Sequence, residues 1–221
     1  MIELRNVTKS FRINGHTRTI VSNANIVFPT GHTVALLGRN GAGKSTLLQI
    51  IAGTTDLDEG DVIQKGTISW PIGFRGSFHP ELTGAQNAKF IARIYGYDTT
   101  EVLEFSRDFA ELGSYFDLPF KTYSSGMRSR LAFGVSMAVP FDTYLIDEVT
   151  SVGDASFREK CSAVLTERMK DASGIFVSHS MPQVKEMCDI GVILEKGQLS
   201  YYDDIDEAIA QHNANIRGHN G

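Results

Sequence analysis

Residues 38–46, GRNGAGKST, combine three glycines, a lysine and two adjacent hydroxyls in a spacing that suits one task, holding a chain of phosphates. The stretch fits G-x-x-x-x-G-K-[ST] at every fixed position. A triphosphate carries several negative charges that must be held without crowding. Gly38, Gly41 and Gly43 permit close backbone approach and positive φ. N–H groups and a helix N-terminus then face the anion. In that frame Asn40, Ala42 and Thr46 complete the loop. Lys44 reaches the β- and γ-phosphates, and Ser45 offers its hydroxyl to Mg²⁺.

Two later strand ends carry groups of a matching kind. The apolar run 144–146 ends in Asp147 and Glu148. Parallel strands present ligands at their C-terminal ends. Asp147 there suits Mg²⁺, a hard cation that takes few protein oxygens. Glu148 points differently and suits polarising an attacking water. Taken alone, the pair is equally an acidic turn. His179 ends the next apolar run, where it can reach a γ-phosphate or the water. A lone strand-end histidine is otherwise commonly structural. Between these lie residues 123–128, YSSGMR. Ser124 and Ser125 can cap the helix that follows, and Gly126 opens its N-terminus to close approach. Within a single chain that is equally a plain helix start.

These groups need strands that end together and helices that begin beside them. Residues 2–7 alternate like a strand, 25–28 are short and apolar, and Asn14-Gly15 marks a turn. The apolar run 33–37 leads into the phosphate loop, and Gly53 closes the helix after it. Residues 60–63 and 67–70 read as two more strands. From Leu82 the period changes to that of helices: Thr83 through Tyr95 with Gly96 beyond, Thr100 through Leu112 stopped by Gly113, and a third helix from Ser125. Strands at 143–146, 174–177, 190–194 and 199–202 alternate with helices at 154–170, 182–188 and 205–210. That alternation implies a parallel sheet covered on both faces. The polar tail from Gln211 is expected to fray, leaving His212 and His219 solvated.

Composition narrows the class. The 221 residues, 42% hydrophobic and 21% charged, belong to a globular chain. No apolar run reaches the ~18–20 residues of a membrane span, and the first residues lack the build of a signal peptide. A cytoplasmic protein with no direct membrane span is expected. A net charge of −5 argues against a nucleic-acid footprint. Cys161 and Cys188 have no metal-type spacing and sit among apolar residues, so they read as small core side chains.

Taken together, Gly38–Thr46, Tyr123–Met127, Tyr144–Glu148 and His179 resemble the nucleotide-binding subunit of an ABC transporter. The resemblance covers nearly the whole chain. It sharpens at residues 69–71, 78–84, 123–131 and 147–155, which are similar to capsular-polysaccharide export ATPases, with O-antigen and teichoic-acid exporters related. It implies an α/β ABC ATPase fold: a P-loop NTPase core with a mostly parallel sheet, an N-terminal antiparallel β subdomain and an inserted helical subdomain. The core then occupies 1–81 and 139–221, and the helical part 82–138. It implies ATP and Mg²⁺ as cofactors, with Lys44, Glu148 and His179 catalytic and Ser45 and Asp147 on the metal. Phe11 matches the adenine-stacking aromatic, although aromatics also fill cores. Two subunits would close head to tail, so that Ser124, Ser125, Gly126 and Met127 of one chain face Lys44 of the other. Residues 151–154 would touch the opposing subunit. Further implied partners are two copies of a transmembrane permease and additional envelope export components. The chain would then lie peripherally on the cytoplasmic face of the bacterial inner membrane.

Three features depart from the general pattern or refine it. The helical part of the family begins with a glutamine that falls here near Phe74, and residues 68–80 contain none. His79, or a backbone carbonyl with a water, is the candidate replacement. Ser125 and Met127 stand where Gly and Gln are commoner. Trp70, Phe74 and Phe78 cluster where the family receives the permease, and packing between lobes is the other use of such rings. A DNA- or ribosome-directed ABC ATPase is disfavoured by the short span from Lys44 to Ser124 and the acidic balance. A P-loop kinase is disfavoured by Tyr123–Met127 and His179. The 42 residues after His179 fall short of an added sandwich of ~100 residues, so no glycan-reading domain is expected.

Overall fold

In the computed structural model the chain opens on a long antiparallel pair, β1 (Ile2–Ile13) and β2 (His16–Phe28), whose register shifts three times between Leu4 and Ser10. The structure describes residues 1–13, 15–72, 78–147 and 154–218. Ile2, Leu4 and Val7 turn inward from β1, and Val21, Ala24 and Phe28 from β2. The elements after β2 are β3 (Thr33–Leu37), α1 (Lys44–Ile51), β4 (Glu59–Gln64), β5 (Ile68–Ile72), α2 (Gly84–Tyr95) and α3 (Thr99–Ala110). There follow α4 (Ser125–Ala138), β6 (Thr143–Asp147), α5 (Ala155–Met169), β7 (Ser173–Val177), α6 (Met181–Met187), β8 (Ile190–Glu195), β9 (Gln198–Tyr202) and α7 (Ile205–Gly218).

Two sheets result. One has the order β2-β1-β4, with β1 antiparallel to both neighbours. The other has the order β5-β6-β7-β3-β8-β9. In it β6, β7, β3 and β8 run parallel, and β9 returns antiparallel on β8. Strands β3 and β7 are buried at every residue, as strands covered on both faces must be. Val34, Leu36, Leu47, Leu145, Ile175 and Val192 join the inward residues of β1 and β2 in one core. The expected class, α/β with a parallel-rich sheet and an antiparallel sheet, is therefore present.

The chain divides into two compact units: Met1–Pro71, Asp142–Glu148 and Ala172–Gly221 in the first, Ile72–Phe141 and Val149–Asp171 in the second. The second is mainly helical. Thr83 caps α2 through a full capping box with Gln86, and Gly96 ends it at φ 74°. Helix α3 ends differently from the sequence expectation: Glu111, at φ 52°, takes the left-handed position ahead of Gly113. Lys160 at 2.5 Å and Arg130 at 3.4 Å hold the Glu111 carboxylate there. The ring of Phe109 lies 5.8, 5.5 and 5.4 Å from those of Phe105, Phe133 and Phe157, joining α3, α4 and α5.

Two other expectations need correction. Helix α7 does not fray after Ala210; it continues to Gly218, with Ala208, Ile209 and His212 buried. A Cβ on Gly191 of β8 would fall 2.1 Å from that of Ala208, so the helix lies directly on the sheet and its next turns stay ordered. Trp70 and Phe78 are core residues, 4% and 6% exposed, rather than surface anchors. Phe78 stacks on Phe120 within the second unit; Phe74 lies outside the described residues.

Replacing Phe109 with Ala removes the ring shared by three helices. Large-to-small changes of this kind cost about 3–5 kcal/mol. Urea denaturation of Phe109→Ala should show a loss of that size.

Candidate active site

A cavity of about 660 Å³ opens in the first unit. Phe11, Arg18, Ile20, Asn40, Gly41, Gly43, Lys44, Ser45, Thr46, Asp147 and His179 are among the residues that line it. Four elements meet there: the β1–β2 pair, the loop into α1, the end of β6 and the residues after β7. The two strand ends converge because β6 and β7 run parallel in register, with Asp147 opposite Val177. Residues named from sequence as phosphate, metal and adenine ligands thus share one surface. Gly38 and Ala42 shape the loop from behind it, Ala42 through a turn whose N–H donates to the Arg39 carbonyl at 3.0 Å.

The loop has the shape its glycines foretell. Gly38 has φ 155° and Gly43 φ 110°, conformations that side chains rarely permit. A Cβ at Gly38 would stand 2.6 Å from the Leu194 carbonyl oxygen, and one at Gly43 2.5 Å from the Ile20 side chain. The loop is therefore wedged between β8 and β2. Lys44 is buried, and its ammonium donates to the carbonyls of Gly38 at 2.7 Å and Arg39 at 3.2 Å. Its charge is thus held at the mouth of the helix. The α1 N-terminus has no side-chain cap, so its first N–H groups remain available to an anion.

Ser45 and Asp147 place a hydroxyl and a carboxylate on this cavity. An all-oxygen pair suits Mg²⁺, which takes its other ligands from phosphate and water. Among the described residues no group of three or more His, Cys, Asp or Glu forms a metal cluster. Glu148 and residues 151–153 lie outside the described residues. His79 does not offer its Nδ1 outward, since that atom accepts from the Glu81 N–H at 3.2 Å.

Ser124–Met127 belongs to the second unit. Ser124 caps α4 by accepting from the Met127 N–H at 3.2 Å. Ser125 and Gly126 are exposed, and a Cβ on Gly126 would meet only the Ser124 hydroxyl, at 3.9 Å. No acidic residue occupies the first turn. Approach to this helix end is open. Cys161 and Cys188 are buried, and burial pushes both thiols up to about 12. They are inert core groups. Among the described residues no helix is long and apolar enough to cross a membrane.

A loop of this shape at the C-terminal end of β3, with a carboxylate at the end of β6 and a histidine just past β7, suits a bound nucleotide. The chain belongs to the ABC transporter family, whose model matches residues 21–151. It is 49% identical to the polysialic acid transport ATP-binding protein KpsT of Escherichia coli, over 98% of this chain and all of that one. It is 44% identical to the capsule polysaccharide export ATP-binding protein CtrD of Neisseria meningitidis serogroup B, over 97% and 99% of the two chains. A dimeric ATP-binding cassette solved in a post-hydrolysis state with ADP and Pi shares the fold. It has TM-score 0.76 and 22% identity, covering 92% of this chain and 98% of that one.

Two residues near the loop carried no sequence signal. Arg18 is one. The other is His212, 8% exposed on α7 and expected to be solvated. Burial, with Lys44 and His179 nearby, pushes its pKa below the ordinary histidine value, against the opposite pull of Glu195. The unfolded chain then binds a proton at a pH where the folded chain does not. This term costs no stability above the ordinary histidine pKa of about 6.5 and destabilises progressively as pH falls through that value toward the lower folded one. His212→Gln removes it. Thermal melts across a pH series should show a shallower acid decline for the variant than for the wild type.

Proposed function

We propose that this chain is the ATP-hydrolysing subunit of an exporter that carries capsular polysaccharide, a lipid-linked glycan, across the bacterial inner membrane through a separate permease. The observation that carries the catalytic half is the meeting of Phe11, Lys44, Ser45, Asp147 and His179 on one cavity. The transport half is supported by the full-length likeness to the polysialic acid and capsule export proteins.

Each residue then has a task. Phe11, 37% exposed, stacks the adenine. The loop N–H groups and Lys44 hold the phosphates. Ser45 and Asp147 hold Mg²⁺, which neutralises charge on the β- and γ-phosphates when bound. Glu148 accepts a proton from the water that attacks the γ-phosphorus, and ADP leaves as the γ-phosphate separates. His179 steadies the γ-phosphate and that water.

The open α4 N-terminus supports a second role. Ser124–Met127 completes the pocket of a second copy, as a helix N-terminus accepts a phosphate. Two chains close over two nucleotides, and hydrolysis reopens them. The movement passes to two copies of the permease and on to further envelope export components. On α2, Phe90 and Ile94 are 50% and 59% exposed one turn apart, an apolar surface suited to a permease contact. The chain itself sits peripherally on the cytoplasmic face.

Glu148→Gln removes the base but keeps the shape. The variant should bind ATP, lose nearly all turnover and elute as a dimer when ATP is present. Normal turnover by Glu148→Gln would show that another group activates the water.

A further inference from the structure

Arg18 is a basic residue on the cavity that no motif marks. It stands on β2 directly opposite Phe11 on β1, and opposed residues of an antiparallel pair share a face. Both line the cavity. The Arg18 guanidinium reaches across to the phosphate loop and donates through Nη2 to the Gly41 carbonyl. That bond uses one of five N–H donors in the fork. Gly41 itself turns through φ 77°, which favours glycine, and a Cβ there would lie 3.3 Å from Nη2. Phe11 has the Lys9 ammonium 5.2 Å from its ring centroid, and Lys9 is itself paired with Asp58 at 2.8 Å. Lys9 is thus engaged with the ring and with Asp58, and Arg18 is a cation of this strand pair that reaches the loop.

We propose that Arg18 is a nucleotide-binding residue that reads phosphate charge from the strand-pair side of the cavity. The inference rests on the cavity being the nucleotide site. A base stacked on Phe11 and phosphates cradled at Gly41–Lys44 put the first phosphates of the nucleotide between those two points. Arg18 spans the same interval. Its guanidinium, anchored by Gly41, meets those oxygens with charge-assisted hydrogen bonds, which a planar fork makes better than an ammonium does. Lys44 and the helix N-terminus grip the distal phosphates, and Arg18 grips the proximal ones. Arg18 therefore favours nucleotides over the bare nucleoside and does not choose the base.

Binding of ATP, ADP and adenosine to wild type, Arg18→Gln, Arg18→Lys and Lys44→Ala tests this, by calorimetry for the nucleotides and competition for adenosine. Arg18 is exposed, so its variants should fold; thermal melts check that. Arg18→Gln should weaken ATP and ADP about tenfold, as loss of a charge-assisted bond does, and leave adenosine unchanged. Arg18→Lys should recover part of the loss. Unchanged ATP and ADP affinity in Arg18→Gln, while Lys44→Ala loses both, would overturn the role of Arg18 alone. An equal loss of ATP and adenosine would also overturn it, since Arg18 would then be holding the base. Undiminished ATP binding in both Arg18→Gln and Lys44→Ala would instead remove the nucleotide reading of the cavity.

Discussion

A loop whose backbone must be shaped to receive a dense anion sets the terms for the rest of this structure. Backbone N–H groups can converge on phosphate only where no Cβ intervenes and where the chain turns through positive φ. Here Gly38 is pressed against the end of β8 and Gly43 against Ile20 of β2. The loop cannot relax without moving the parallel sheet or the antiparallel one. Its conformation is thus a property of two sheets packed around a shared core, and not of nine residues alone.

The same constraint explains the placement of the other groups. Strand β3 delivers the loop, and its neighbours β7 and β8 bring His179 and the Leu194 carbonyl to the same edge. Strand β6 pairs with β7 and adds Asp147. The antiparallel pair contributes what the parallel sheet lacks: an exposed ring at Phe11 and a cation at Arg18. Behind the loop, α7 lies on β8, and its Asn215 donates to Glu195 beside the Leu194 carbonyl that abuts Gly38. The helix is part of the support of the site.

How legible this was in the sequence depends on how local the physics is. The phosphate loop, the capping box at Thr83 and the cap at Ser124 are short-range devices, and their residue types give them away. The strand-end groups were readable because parallel order brings strand termini together. What was missed depends on tertiary packing. Arg18 joins the site only through the register that sets it opposite Phe11. His212 looks like a tail residue until Ala208 meets Gly191. Trp70 and Phe78 look like anchors until their burial is seen. Glu111 takes a conformation usually left to glycine, with its carboxylate paired to Lys160 and Arg130. No pattern along the chain announces any of these.

The central claim is that each working pocket draws on two chains, the loop from one and Ser124–Met127 from the other. Mixing two dead variants tests it most directly. Lys44→Ala spoils the loop and leaves the α4 end intact; Gly126→Val blocks the α4 end and leaves the loop intact. Each alone should hydrolyse almost no ATP. Mixed dimers hold one pocket assembled from the two undamaged halves, so ATPase activity should return on mixing and rise with protein concentration. A mixture as inactive as its components, or a Gly126→Val chain that hydrolyses ATP at the wild-type rate, would contradict the shared pocket.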